Sequence, residues 1–168
     1  VDSTITYPLD NRTDTAQLVY FEIESYTVDD LGSMHCTGGR DTVVVWIEPT
    51  TNVEASPEVD TICDGDQATI TIETTSVPTH PTEFRWRAWA AHEGAVETLP
   101  VGWIDNLTVD STINYPLDNQ TDTAQLVYFE IESYTVDNLG NSHCSGGRDT
   151  VVVWVEPTTN VDASPEVD

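Results

Sequence analysis

Residues 1–60 recur as residues 109–168 with 52 of 60 positions identical, a period of 108 residues. A single block, 61–108, separates the two copies, so the chain reads as about one and a half copies of one unit. Such identity between neighbours marks recent duplication, and arrays made this way usually run beyond two copies. A period near 108 is too long for a solenoid turn and suits whole β-sandwich domains in tandem. Residue choice agrees: Thr, Val, Ile and Tyr are abundant, there is one Met, and Lys is absent. β-branched and aromatic side chains fit a pleated, half-buried surface.

The unit divides at the proline-bearing stretch Glu48–Asp60 and its copy at 156–168. Two prolines without alternation predict a stiff linker or an edge strand. Residues 1–50 are then expected to be the C-terminal half of a preceding repeat, 51–60 a linker, 61–157 one complete repeat, and 158–168 the next linker. A half sandwich leaves a sheet face uncovered and is not stable alone. Because the chain does not open with Met, a segment of a longer protein is expected.

Strand signals follow a regular rhythm in 61–157. Ala68–Thr74 places Ile70 and Ile72 on one face. Glu83–Ala90 places Phe84, Trp86 and Ala88 on one face, with Arg85, Arg87 and Trp89 opposite. Gln125–Val136 brings Val127, Phe129 and Ile131 into phase, and Thr150–Val155 sets Val151, Val153 and Val155 against Val152 and Trp154. Six or seven strands in about 100 residues predict an all-β, immunoglobulin-like β-sandwich repeated in tandem.

Thirty acidic residues face five Arg, a formal charge of −25. That balance repels phosphates, which excludes nucleic acid and anionic membrane as partners. No apolar run approaches the roughly 20 residues of a membrane span. His35, His80, His92 and His143 show no His-x-x-x-His spacing, there is no Cys-x-x-Cys, and no Gly-x-Ser-x-Gly accompanies Ser145. No catalytic residue and no obligatory cofactor are expected. Calcium is the open question, because Asp64, Asp66, Glu58, Asp60, Asp118 and Asp122 offer hard oxygen ligands on turns. The alternative is a solvated acidic face.

Cys36 and Cys144 share one repeat position, so each unit has one cysteine of that type and one of the Cys63 type. A Cys63–Cys144 disulfide would tie the ends of one sandwich, worth roughly 4–5 kcal/mol in the chain-entropy model. Cys36 would then pair outside the segment. Three free thiols and a Cys36–Cys63 link between repeats are the alternatives.

Several segments together resemble a known family: Thr61-Ile-Cys63-Asp-Gly65, the aromatic strand Phe84–Trp89, Leu117-Asp-Asn119, and His143-Cys-Ser-Gly-Gly147 ahead of Thr150–Val155 and Pro157. They are similar to the PKD-like and Ig-like repeats of giant secreted surface proteins of Bacteroidota. The resemblance implies export by a type IX system and a role as spacer, adhesin stalk or filament subunit. The loop Ala91–Asp105 departs from the family pattern. The phylum's O-glycan motif would fall on Thr15 and Thr123.

The functional expectation is a non-catalytic repeat of an extracellular filament, appendage or adhesin shaft that associates with its own copies. Trp46, Trp89, Trp103 and Trp154 are candidates for an assembly face. The alternative is a carbohydrate-binding module acting by avidity toward a polysaccharide, with Trp89 and Trp103 as stacking platforms.

Overall fold

The computed structural model describes residues 4–97 and 99–159, and these contain strands but no helix. They form two compact units, Val1–Thr50 with Ser76–Thr79, and Thr51–Thr75 with His80–Asp168.

The second unit is a two-layer β-sandwich. One layer has five strands in the order β4 (Thr61–Cys63), β12 (Ser142–Glu156), β11 (Gln125–Val136), β6 (Thr82–Ala90) and β8 (Ile104–Thr108). The other has three: β3 (Glu54–Pro57), β5 (Gln67–Glu73) and β9 (Thr112–Pro116). A short pair, β7 (Val96–Glu97) with β10 (Asp118–Asn119), lies outside both. Only β4 and β12 run parallel; Trp154, Val155 and Glu156 stand opposite Thr61, Ile62 and Cys63.

The period-2 alternation is realised in burial. Ile70, Ile72, Phe84, Val127, Phe129, Ile131, Val153 and Val155 are fully buried between the layers, with Trp86 and Ile113 almost so. The ring of Trp86 meets Tyr115 edge-on at 5.3 Å and tilts over Phe129 at 5.8 Å. The facing predicted for the central strands is therefore the one observed.

The stretch 51–60, expected as a linker or an edge strand, contains an edge strand of this sandwich. Glu54–Pro57 pairs antiparallel with β5, Thr51 and Val53 are buried, and the Ala55 N–H donates to Asp149 at 2.9 Å. Pro57 is tolerated because β3 is an edge strand and needs no donor on its open side. The boundary thus falls at residue 50. Of the second expected linker, 160–168 lies outside the described residues.

Thr51 also locks a close approach. Its carbonyl accepts the Gly147 N–H at 2.6 Å and the Ser133 hydroxyl at 2.9 Å. A Cβ at Gly146 would collide with the Thr51 and Ser133 hydroxyls and lie 2.6 Å from the Thr51 carbonyl oxygen. Gly146→Ala should therefore cost about 1–3 kcal/mol, the range for overpacking a fixed site. Gly38→Ala, its repeat equivalent, meets the movable Ser25 hydroxyl and more distant atoms of the same residue. It should cost less in the same urea titration.

The proposed Cys63–Cys144 disulfide does not form. Cys63 pairs with Glu156, whereas Cys144 sits twelve residues earlier on the same strand β12. At about 3.3 Å per residue the two lie roughly 40 Å apart, far beyond the reach of a disulfide of about 6 Å. Cys36, Cys63 and Cys144 are all free thiols.

The first unit is an antiparallel hairpin of β1 (Gln17–Val28) and β2 (Met34–Ile47). Its register, including both irregularities, reproduces β11–β12 residue for residue. Ile5, Tyr7, Leu9, Phe21, Ile23, Val43 and Val45 line an open apolar cleft of about 300 Å³. Their equivalents 108 positions on, among them Ile113, Leu117, Phe129 and Val153, form the buried core of the sandwich.

Candidate functional site: the outer face of the five-stranded sheet

Alternation sends every second residue of β6, β11 and β12 outward. Cross-strand register then sorts these residues into two zones. In the first, Glu132 stands opposite both Arg85 and Arg148, and Glu130 opposite Arg87. Arg85 bonds Glu132 at 2.8 Å, Arg87 bonds Glu130 at 2.5 Å, and Arg148 reaches both carboxylates at 3.4 and 3.2 Å. Three of the chain's five cations are spent on this network. Glu132 is buried, and the two guanidiniums supply the pairing that a desolvated carboxylate requires.

Trp103 closes the zone. Its ring lies 4.8 Å from the guanidinium carbons of both Arg85 and Arg87, and 5.5 Å from that of Arg148. Guanidiniums over an indole are favourable cation–π contacts. Within the stretch 91–105 it is Trp103 that covers this zone, as a lid on an ionic cluster instead of an open stacking platform.

The second zone is apolar and open. Trp89 stacks on Tyr128 with ring centroids 5.6 Å apart and planes 14° from parallel. Tyr128 stands opposite Val152, and Leu126 opposite Trp154. Trp89, Val152 and Trp154 are each about two-fifths exposed. The first unit carries the same stripe as Leu18, Tyr20, Val44 and Trp46, all exposed, so the feature recurs every 108 residues. There the Arg40–Glu22 and Arg40–Glu24 pairs repeat the ionic zone, and among the described residues no tryptophan ring lies over Arg40.

The acidic candidates separate. Asp64, Asp118 and Asp122 border one polar depression with Asn119, Thr121 and Thr158, whereas Glu58, Asp60 and Asp66 do not. Among the described residues no group of three or more His, Cys, Asp or Glu is placed to hold a metal ion. Asp64 instead caps a turn: its carboxylate accepts from the Thr158 hydroxyl at 2.5 Å and the Asn119 N–H at 2.7 Å. These bonds, the Thr158 hydroxyl first, hold its pKa below the ordinary 3.8.

Asp137 does the same in the β11–β12 turn, accepting the Asn141 and Leu139 N–H groups at 2.8 Å each. The Asn141 bonds lead in pulling its pKa below 3.8. A depressed carboxyl pKa stabilises the fold above the unfolded value and ceases to do so as pH falls through the folded value. Protection of the Leu139 and Asn141 amides, taken relative to their intrinsic exchange rates, should therefore hold above about pH 4 and fall as the pH drops below it. Asp137→Asn should remove that pH dependence.

Asn119 was not singled out by the sequence as a structural residue, yet it is buried at the centre of its turn. Its amide donates to the Thr123 and Val155 carbonyls at 2.9 Å each, and its Oδ1 accepts from the Thr121 N–H and hydroxyl. The signal was the Leu117-Asp-Asn119 motif itself, an Asx-type turn. Thr15 and Thr123 are exposed, each accepting a bond from the neighbouring glutamine, Gln17 or Gln125. The rings of His80 and His143 lie 4.7 Å apart.

No family model and no curated protein matches this chain. Among solved structures it is similar to WR4, a C. elegans MSP family member, at 12% sequence identity and a TM-score of 0.35. The match covers 65% of this chain and 98% of that one.

Proposed function

We propose that this chain is a non-catalytic structural segment, about one and a half Ig-like units of a tandem array forming an extracellular filament or adhesin shaft. One observation carries the reading. The apolar cleft on the first unit consists of the residues whose equivalents are the sandwich core of the second, so the first unit is a half waiting for strands of the 61–108 kind. A chain in which such halves and blocks alternate is completed at every step only when it continues as an array. The recurring stripe of Tyr20 and Trp46, then Tyr128 and Trp154, supplies equivalent lateral contacts at each period, as a fibre of identical copies requires.

The test is negative-stain microscopy of native multi-repeat material against material carrying Trp46→Asp and Trp154→Asp in every repeat. Regular multi-stranded filaments that dissolve into single threads in the variant are expected. Single threads in both would overturn lateral assembly.

The exposed Trp89 ring, stacked on the half-buried Tyr128, favours one second reading, a sugar-stacking surface used with avidity. Glycan-array binding lost in Trp89→Ala and retained in Trp103→Ala is its signature, because three arginines crowd Trp103 whereas Trp89 meets Arg87 at 5.4 Å and keeps about two-fifths of its surface exposed.

A further inference from the structure

The segment Ser76–Thr79 connects β5 to β6 and packs with the first unit. There it occupies a seat of few residues. The Val77 N–H donates to the Asp14 carbonyl at 2.7 Å, and the Ala16 N–H donates back to the Val77 carbonyl at 3.3 Å. These bonds make a parallel bridge between Thr15 and Val77. The Thr79 N–H donates to the Glu48 carboxylate at 2.8 Å, and its hydroxyl also bonds that carboxylate. The seat is held in shape from behind: Asn11 donates to the carbonyls of Thr15 and Ile47.

The second unit contains the same seat. Asp122, Thr123, Ala124 and Glu156 are identical in type to Asp14, Thr15, Ala16 and Glu48. Asn119 donates to the carbonyls of Thr123 and Val155 as Asn11 does to theirs. Gln125 braces Thr123 as Gln17 braces Thr15. Among the described residues nothing bonds the Ala124 N–H, the Asp122 carbonyl or the Glu156 carboxylate. Glu156 is exposed where Glu48 is half-covered.

We infer that the edge formed by Asp122–Ala124 and Glu156 is a docking seat, and that its occupant is a further copy of the Ser-Val-Pro-Thr segment, from the repeat that follows. The occupied seat in the same molecule identifies the occupant. An exposed N–H and C=O two residues apart is what a short β-bridge completes, and a carboxylate beside them fits a threonine N–H and hydroxyl. The acidic side chain adds selectivity for a segment whose own carboxylates are absent, as they are from Ser76–Thr79. Repeated at every period, the bridge holds one Ser-Val-Pro-Thr segment on each such edge by backbone bonds. The inference rests on the array reading, but concerns a contact measurable on one molecule.

The test uses the full chain with a second copy of Thr74–Thr82 appended after Asp168 through a flexible linker, which raises its local concentration to roughly millimolar. Amide exchange is followed by NMR. In the unextended chain Ala16 should be protected and Ala124 not. The appended copy should slow Ala124 exchange toward that of Ala16, and either Val77→Pro made in the appended copy alone or Glu156→Ala should reverse this. Unchanged Ala124 exchange, or equal protection by the proline-bearing copy, would overturn the inference. Filament microscopy is independent of either result, so failure of the seat and failure of the array reading are told apart.

Discussion

Replacing Phe129 by alanine is expected to destabilise the sandwich by about 3–5 kcal/mol, the range for emptying a fully buried aromatic site. Phe129 is completely buried, lies against Trp86, and sits mid-strand between Val127 and Ile131, so the surrounding sheet cannot collapse into the space. At about 4–8 °C per kcal/mol for a domain of this size, the melting temperature of the second unit should fall by well over 10 °C. Phe21→Ala is the same substitution at the same point of the repeat. Phe21 lines an open cleft, so its loss should change stability by no more than about 0.5 kcal/mol. The comparison is made by thermal unfolding followed by far-ultraviolet circular dichroism, which reports the strands of both units. Equal effects at the two positions would mean that the cleft is already covered. In material with a further 61–108 block joined ahead of the first unit, the two costs should converge.

Asn119→Ala is the second large effect, expected at about 3 kcal/mol. The substitution removes a buried amide that bonds the Val155 and Thr123 carbonyls and the Thr121 N–H. The Thr123 carbonyl keeps the Thr121 hydroxyl at 2.9 Å, so the cost falls on the Val155 carbonyl and the Thr121 N–H. Asp at this position should be no better, because its carboxylate would face two carbonyl oxygens in place of two donors. Urea midpoints of the two variants check this. Asn11→Ala, in the more exposed copy of the turn, should cost less. Loss of the Asn119 side chain should also loosen the edge at Thr123 and Ala124, so exchange of the Gln125 amide is a local readout of the same change.

Much of the architecture was legible because its signals are local. Period-2 alternation identified the inward faces of β5, β6, β11 and β12 from residue type alone. The duplication marks the half-unit by residue identity alone. What stayed hidden depends on tertiary context. Glu54–Pro57 has no alternation, so the prolines of its stretch left linker and edge strand equally open, and the pairing with β5 decides for the strand. The cysteine spacing is compatible with a tie between ends, but spacing does not say which end of a long strand a residue occupies. Cys144 proved to lie within β12 at the far end from Cys63. Trp103 sits in a loop without pattern, and its place over Arg85, Arg87 and Arg148 follows from charges drawn from two strands. The apolar stripe at Val152 and Trp154 was legible as a face, and its stacking partner Tyr128 was not, since cross-strand register is set by the hairpin as a whole.

The parallel pairing of β4 with β12 decides how one unit answers tension. The chain comes into the sandwich beside Gly147, about a third of the way along β12, and leaves it after Glu156, at the far end of that strand. A pull along the chain therefore draws β4 back toward Gly147 while drawing the end of β12 forward. The two strands are bonded side by side, so the load slides them along their length in shear. The bonds around Ile62 and the Trp154 N–H to Asp60 bond at 2.8 Å share the force together, instead of opening one at a time like a peeled hairpin. A thread of such units resists stretching at each bead before any bead gives way.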